Sequence, residues 1–184
     1  MRRGVLLLCL LLPVTVIYAQ KITVTGNWSV PNFNSQKPVE AGSDYVSSFV
    51  ESASNQTLLN VNGTGGVLGL LLTGFNIQVR QTVTGPALPP GLILRARRTG
   101  EGLGYLIGLV PLPNILGYYT NYGVPKNEYL TLTSANQNFF GFFATASLSL
   151  GSVNDIPIQY RLEGLSVLLP VNTYSITVTY TVSP

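Results

Sequence analysis

The feature that most constrains this 184-residue chain is the alternation of apolar with polar side chains along short segments. Residues 173–182 carry five apolar side chains on one side of an extended chain: Tyr174, Ile176, Val178, Tyr180 and Val182. Residues 21–30 alternate in the same way. A period of two residues is that of a half-buried β-strand, so both segments are predicted strands.

Further runs of this kind predict strands at residues 46–51, 57–61, 75–83, 92–97, 129–133, 139–150 and 156–162. Asn62-Gly63 predicts a tight hairpin turn, and residues 152–155 predict a longer one. No segment keeps a helical period over three turns. About eight to ten short strands at regular spacing indicate an all-β fold, which we interpret as a single antiparallel β-sandwich, with a barrel as the alternative.

Residues 100–128 interrupt this rhythm, because they are rich in Gly, Pro, Asn and Tyr. A connection of this length is usually functional or disordered, and its apolar content argues against disorder. We expect an ordered lid or a contact surface, and two further short strands are the alternative. The candidate contact residues are four tyrosines: Tyr105, Tyr118, Tyr119 and Tyr122.

The N-terminus has the layout of a secretory signal peptide. Met1-Arg2-Arg3 is a basic start, an apolar run of 14 residues follows, and the small residue Ala19 comes before polarity resumes. This run is shorter than the ~20 residues of a membrane-spanning helix. We predict a signal peptide at residues 1–19 and a secreted mature domain at residues 20–184, without a membrane span. The alternatives are a twin-arginine signal, a type IV prepilin site at Arg3-Gly4 and a lipoprotein site at Cys9.

Charge is scarce in the sequence. Charged residues make up 9% of the chain, against a norm of roughly a quarter. Removing Arg2 and Arg3 from the 10 basic residues leaves 8 against 7 acidic ones, a mature net charge of +1. So thin a surplus forms no patch for nucleic-acid phosphates, and it suits a protein that packs against other protein surfaces.

Groups that carry catalysis or bind metals are nearly absent. The chain has no His, and its one Cys belongs to the predicted signal peptide. No spacing among the carboxylates indicates a glycosidase pair or a calcium loop. Each is interpreted as a solvated charge at a strand end: Glu40, Asp44, Glu51, Glu101, Glu128, Asp155 and Glu163. The sequence predicts a non-catalytic protein without a cofactor or metal; a secreted hydrolase of unfamiliar type is the enzymatic alternative.

Three Asn-X-Ser/Thr triplets are candidate glycosylation sites, at Asn27, Asn55 and Asn62. An exported chain can carry glycans at such triplets where the organism has the machinery. Chance occurrence in an Asn- and Thr-rich sequence is the alternative explanation.

The closing residues 170–182, Pro-Val-Asn-Thr-Tyr-Ser-Ile-Thr-Val-Thr-Tyr-Thr-Val, resemble the last strand of bacterial pilin-like proteins. These include the spore coat protein U group and the chaperone–usher pilins. Residues 153–162, with Ile158-Gln159-Tyr160, are similar to their penultimate region, so the resemblance covers about the last 35 residues. It implies an immunoglobulin- or pilin-like sandwich and a filament subunit of the cell surface that forms a homo-polymer by β-strand addition.

In that scheme the N-terminal strand of one subunit completes the sheet of its neighbour. The candidate donor residues are Ile22, Val24, Gly26, Trp28 and Val30, with Gly26 allowing close approach. The alternative is that residues 21–30 form the first strand of their own sandwich. A different class of function, a secreted carbohydrate- or surface-binding adhesion module, would use the tyrosines and Trp28 to stack on glycans or to contact other surface proteins.

Overall fold

A computed structural model of the chain describes residues 19–30, 40, 42–64, 75–106, 111–112, 116–144, 150–170 and 172–183. These residues form strands and connecting turns, with no helix among them. The strands are β1 (Ala19–Thr25), β2 (Phe49–Glu51), β3 (Thr57–Thr64), β4 (Phe75–Thr84), β5 (Ile93–Arg98), β6 (Leu103–Leu106), β7 (Pro111–Leu112), β8 (Leu116–Gly123), β9 (Leu130–Thr131), β10 (Gln137–Ala144), β11 (Leu150–Glu163) and β12 (Ser175–Ser183). The all-β prediction is confirmed.

The strands form two antiparallel sheets. The larger sheet has the order β1-β3-β11-β5-β9, with β2 and β6 also paired to β11 and β7 paired to β6. The smaller sheet has the order β12-β4-β10-β8. Buried side chains of both sheets share one apolar core, an arrangement consistent with a β-sandwich.

β11 is the longest strand and pairs along both of its edges. One edge pairs with β3 and then β2, and the other with β6 and then β5. Within the ladder with β3 the register shifts between Val153 and Ile156, so Asn154 and Asp155 together face the single residue Asn60. Asp155 takes a left-handed φ of 57°, and its backbone N–H donates to the Asn60 Oδ1 at 2.8 Å. The backbone N–H of Asp155 therefore keeps a hydrogen-bond partner despite the bulge.

A second bulge enriches the core in aromatic rings. The register of β10 against β4 shifts between Asn138 and Phe140, so Phe139 is an extra residue in the ladder. Phe139 and Phe140 are consequently both buried, although they are neighbours in sequence and a regular strand would expose one of them. Their ring centroids lie 5.0 Å apart.

Two buried tyrosines join the sheets. Tyr160 of β11 and Tyr180 of β12 point into the core, and their hydroxyl oxygens are 2.9 Å apart. Burial, together with the neighbouring Tyr160, raises the pKa of Tyr180 well above its ordinary value. The Tyr160 hydroxyl has a second partner in the side chain of Thr57. The pair is therefore a neutral hydrogen-bonded bridge between the two layers.

Both predicted hairpin turns are wrong. Asn62 and Gly63 lie inside β3, because Asn62 faces Lys21 on one side and Ser152 on the other. Residues 152–155 lie inside β11 and form its bulge. In each case ladders on both sides of the strand override a local preference for a turn.

The Tyr-rich region at about residues 100–128 contributes three strands. β6 and β7 join the larger sheet, and β8 is an edge of the smaller one. This agrees with the alternative of further short strands, except that there are three strands where two were expected. Its role as a contact surface stays a prediction. The predicted signal peptide lies outside the described residues, apart from Ala19.

The tyrosine bridge generates an asymmetry that mutation can test. Tyr180→Phe leaves the Tyr160 hydroxyl bonded to Thr57 and is expected to lower the free energy of unfolding by about 1 kcal/mol. Tyr160→Phe leaves the buried Tyr180 hydroxyl without its one described partner and is expected to cost more, about 2–3 kcal/mol. Urea unfolding of both variants measures the loss of unfolding free energy, and equal losses for the two variants would contradict this asymmetry.

Candidate functional site

The candidate donor segment forms an edge strand of the larger sheet. Among the described strands β1 pairs only with β3, over seven consecutive residues from Ala19, opposite Thr64, to Thr25, opposite Leu58. The ladder has no register shift. β1 also lies beside β12 of the smaller sheet, although no ladder joins the two. Within the single chain, this segment therefore occupies the edge of its own sheet.

The side chains of this segment are incompletely buried. Ile22 and Trp28 are half-buried and pack against the core, whereas Val24 keeps 44% of its surface exposed. Val30 is half-buried beyond the end of the strand. On the facing strand, Leu59 and Val61 are fully or almost fully buried. The apolar side chains of β3 are therefore well packed, whereas those of the neighbouring β1 remain partly exposed.

Gly26 fixes where β1 ends. Its φ of +107° lies in the region that favours glycine, and a Cβ at this position would lie 2.2 Å from the Gln56 carbonyl oxygen. The Gln56 Nε2 donates to the Asn27 carbonyl oxygen at 2.6 Å. Close approach and hydrogen bond together hold the end of β1 in one register on β3. Close approach of Gly26 to a neighbouring subunit stays a prediction; within the single chain Gly26 approaches Gln56.

Trp28 follows directly and stacks on the core. Its ring lies 6.2 Å from that of Tyr160, with an angle of 11° between the planes. Stacked aromatic pairs of this kind contribute about 0.5–1.5 kcal/mol beyond their buried area. Trp28 therefore connects the candidate donor segment to the tyrosine bridge between the sheets.

The four candidate contact tyrosines are divided between the sheets. Tyr105 lies in β6 of the larger sheet, and Tyr118, Tyr119 and Tyr122 lie in β8 of the smaller sheet. Only the side chain of Tyr122 is described, and it is half-buried. The candidate glycosylation sites also differ: Asn27 and Asn55 are exposed in connections, while Asn62 is half-buried within β3. Modification of any of them stays a prediction.

The sequence analysis missed an ionic network on the outer face of the larger sheet. Arg161 of β11 lies opposite Glu51 of β2, and both its Nε and its Nη2 donate to the Glu51 Oε1. The Arg161 Nη1 lies 3.5 Å from Glu163, whose other oxygen lies 3.0 Å from the Arg95 Nε. Glu51 and Glu163 do lie at strand ends, but their interpretation as merely solvated charges is wrong, because strand pairing brings arginines against them.

Aromatic rings surround the same network. The Arg161 guanidinium lies 4.6 Å from the centre of the Phe49 ring and 4.3 Å from that of Tyr129, whose hydroxyl donates to Glu51 at 2.8 Å. Burial acts to raise the pKa of the Glu51 carboxyl, but the bonds from Arg161 and Tyr129 outweigh it and hold that pKa below its ordinary value. The alternation of Gln159 and Arg161 in the predicted strand 156–162, continued by Glu163 just beyond it, was the available signal.

The described residues contain neither a candidate metal cluster nor a candidate membrane-spanning helix. No three His, Cys, Asp or Glu side chains in that part of the chain are grouped to hold a metal ion. No helix there is long and apolar enough to span a membrane.

No protein-family model matches the chain, and no curated protein or solved structure matches it either. The resemblance of its closing segment to pilin-like subunits therefore stays a prediction. What the described residues themselves provide is an N-terminal edge strand, a glycine that fixes its register and a tryptophan that anchors it.

The role of Gly26 can be tested against a matched glycine. Gly26→Ala introduces both an unfavourable φ and a clash with the Gln56 carbonyl, and is expected to cost about 2–4 kcal/mol of unfolding free energy. Gly85 has a similar φ of +92° with open space around it. Gly85→Ala should therefore cost only about 1–2 kcal/mol. Urea unfolding, with hydrogen exchange of the β1 amides, measures both; equal losses would refute the register role.

The lowered pKa of Glu51 predicts a loss of stability in acid. A carboxyl whose folded-state pKa lies below its ordinary 4.5 stabilises the fold above that pH, and the contribution is lost as the pH falls through the folded-state pKa. Glu51→Gln is expected to flatten the decline of unfolding free energy between neutral pH and about pH 3. Glu101→Gln, at an exposed pair with Lys126, is the control and should leave the profile unchanged.

Proposed function

We propose that the chain is an exported, non-catalytic structural subunit that assembles into filaments at the cell surface or outside the cell by exchanging β1 between neighbouring copies. The observation that carries this proposal is the position of β1. It is an edge strand near the N-terminus. It is held by one ladder with β3, by the hydrogen bond from Gln56 to Asn27 and by the packing of a few apolar side chains.

Strand exchange requires no new contacts. A β1 strand from a second copy can form the same ladder with β3, the same approach of Gly26 to Gln56 and the same stacking of Trp28 on Tyr160. The free-energy difference between closed and exchanged forms then comes from chain concentration and the strain of the connection, not from the interface itself.

The connection is long enough for β1 to reach a neighbour. Because Gly26 and Trp28 would move with the strand, residues 29–48 form the connection to β2, and 20 residues span roughly 66 Å when fully extended. Exchange from one copy to the next is a head-to-tail contact, which yields an open filament wherever the rotation between copies does not close a ring. The low net charge of the predicted mature chain opposes such assembly little.

Paired cysteines can identify the origin of the strand on β3. Lys21 faces Asn62 across the ladder, within the range in which partners in an antiparallel pair form a disulfide. In a Cys9→Ser background, Lys21→Cys with Asn62→Cys is expected to give a ladder of covalent oligomers when assembled protein is oxidised. Non-reducing gels measure this, and electron microscopy shows whether the same sample contains filaments.

The matched control is Thr82→Cys with Thr177→Cys, a facing pair between β4 and β12 that should close within one chain in every case. Oxidising the β1 pair in dilute monomer should lock β1 and block elongation until a reductant is added. Filaments that grow from locked monomer, or a protein that stays monomeric at high concentration, would refute the exchange of β1.

A further inference from the structure

The second feature that points to assembly is β12, an edge strand of the smaller sheet. It pairs with β4 over nine residues, from Ser175, opposite Thr84, to Ser183, opposite Asn76, without a register shift. Among the described strands it has no hydrogen-bonded partner on its other side. No described ladder uses the backbone N–H and C=O groups on that side, although β1 of the larger sheet lies beside β12.

β12 lacks the devices that normally protect an edge. Natural edge strands are short, or carry charges, prolines or bulges that prevent pairing with another chain. β12 is nine residues long, and its sequence Ser-Ile-Thr-Val-Thr-Tyr-Thr-Val-Ser has neither a charge nor a proline. Of the other edges, β9 has two residues, the pairing of β8 with β10 is irregular, and β1 carries the charge of Lys21.

The sequence of β12 is nearly symmetric about its central residue. Counting outward from Thr179, the facing residues in a two-fold pairing are Val178 with Tyr180, Thr177 with Thr181, Ile176 with Val182 and Ser175 with Ser183. Antiparallel pairing of two copies about Thr179 therefore sets apolar residues against apolar ones and hydroxyl residues against hydroxyl ones. Pairing centred on Thr179 also includes all nine residues of each strand, whereas pairing about any other residue includes fewer.

We propose that β12 pairs with β12 of a second copy, antiparallel, about a two-fold axis at Thr179. The two four-stranded sheets then form one continuous sheet of eight described strands. Such an interface is isologous, since each copy contributes the same surface. It does not rest on the exchange of β1, and it would join two copies or two filaments side by side.

Burial and charge favour this partner. Ile176, Val178 and Val182 lie on the inner face of β12 but are only half-buried, so a second β12 would cover more of their surface. On the outer face, Thr–Thr pairs across strands are favourable and no like charges meet along β12. The partner that this edge fits is therefore a second copy of the same strand.

Single cysteines test the two-fold register. In the full chain with Cys9→Ser, Thr179→Cys is expected to form a covalent dimer under mild oxidation, because each Cys faces its own copy. Thr177→Cys and Thr181→Cys should each stay monomeric alone and form a mixed dimer together, which a size tag on one chain identifies. Thr82→Cys, on the neighbouring interior strand, is the control and should stay monomeric.

A charge at the axis provides a second measurement. Thr179→Lys sets two ammonium groups against each other and is expected to shift the mass in sedimentation from dimer to monomer, while Thr82→Lys leaves it unchanged. Circular dichroism checks that both variants fold. The proposal is overturned if Thr179→Cys cross-links no more than Thr82→Cys. It is also overturned if Thr179→Cys instead cross-links to a tagged Thr23→Cys chain, since β1 would then be the occupant.

Discussion

The larger sheet depends on backbone pairing along both edges of β11. Four strands pair directly with β11, two in succession along each edge, and a bulge at Asn154 and Asp155 interrupts the ladder with β3. The inner face of its second half carries Tyr160, which contacts both Tyr180 and Trp28. Its outer face carries Arg161, which holds Glu51. Side chains of β11 therefore take part in the tyrosine bridge, in the stacking that anchors the candidate donor segment and in the ionic network.

The two edge strands near the ends of the chain relate to association in different ways. β1 is held in register by features outside the strand, namely the approach of Gly26 to Gln56 and the stacking of Trp28. An exchanged β1 would carry part of these features with it, so its register would be the same in any copy. β12 has no such device, and a register for it can come only from its own near-symmetric sequence. The register of the proposed exchange would thus come from contacts within the described chain, and that of the proposed edge pairing from the sequence of β12.

The sequence predicted the strands more reliably than their partners. Alternation identified β4, β5 and β12, because each has one buried face that a slip of one residue would expose. It missed β6, β7 and β8, since Gly and Pro break the pattern even though ladders on neighbouring strands hold these segments. The contact of Glu51 with Arg161 depends on β2 pairing with β11, more than a hundred residues away. No local sequence pattern predicts the register between β2 and β11.

The placement of the few charges supports the same interpretation of the edges. The ion pairs among Glu51, Arg161, Glu163 and Arg95 lie on the outer face of the larger sheet, on β2, β11 and β5. Natural sheets usually place charges on edge strands, where they keep other chains away, and neither β1 nor β12 belongs to this network. β12 has no charged residue, and β1 has only Lys21. A protein that must stay monomeric gains solubility from charged edges, so the scarcity of charge on β1 and β12 favours the proposed pairing of these edges.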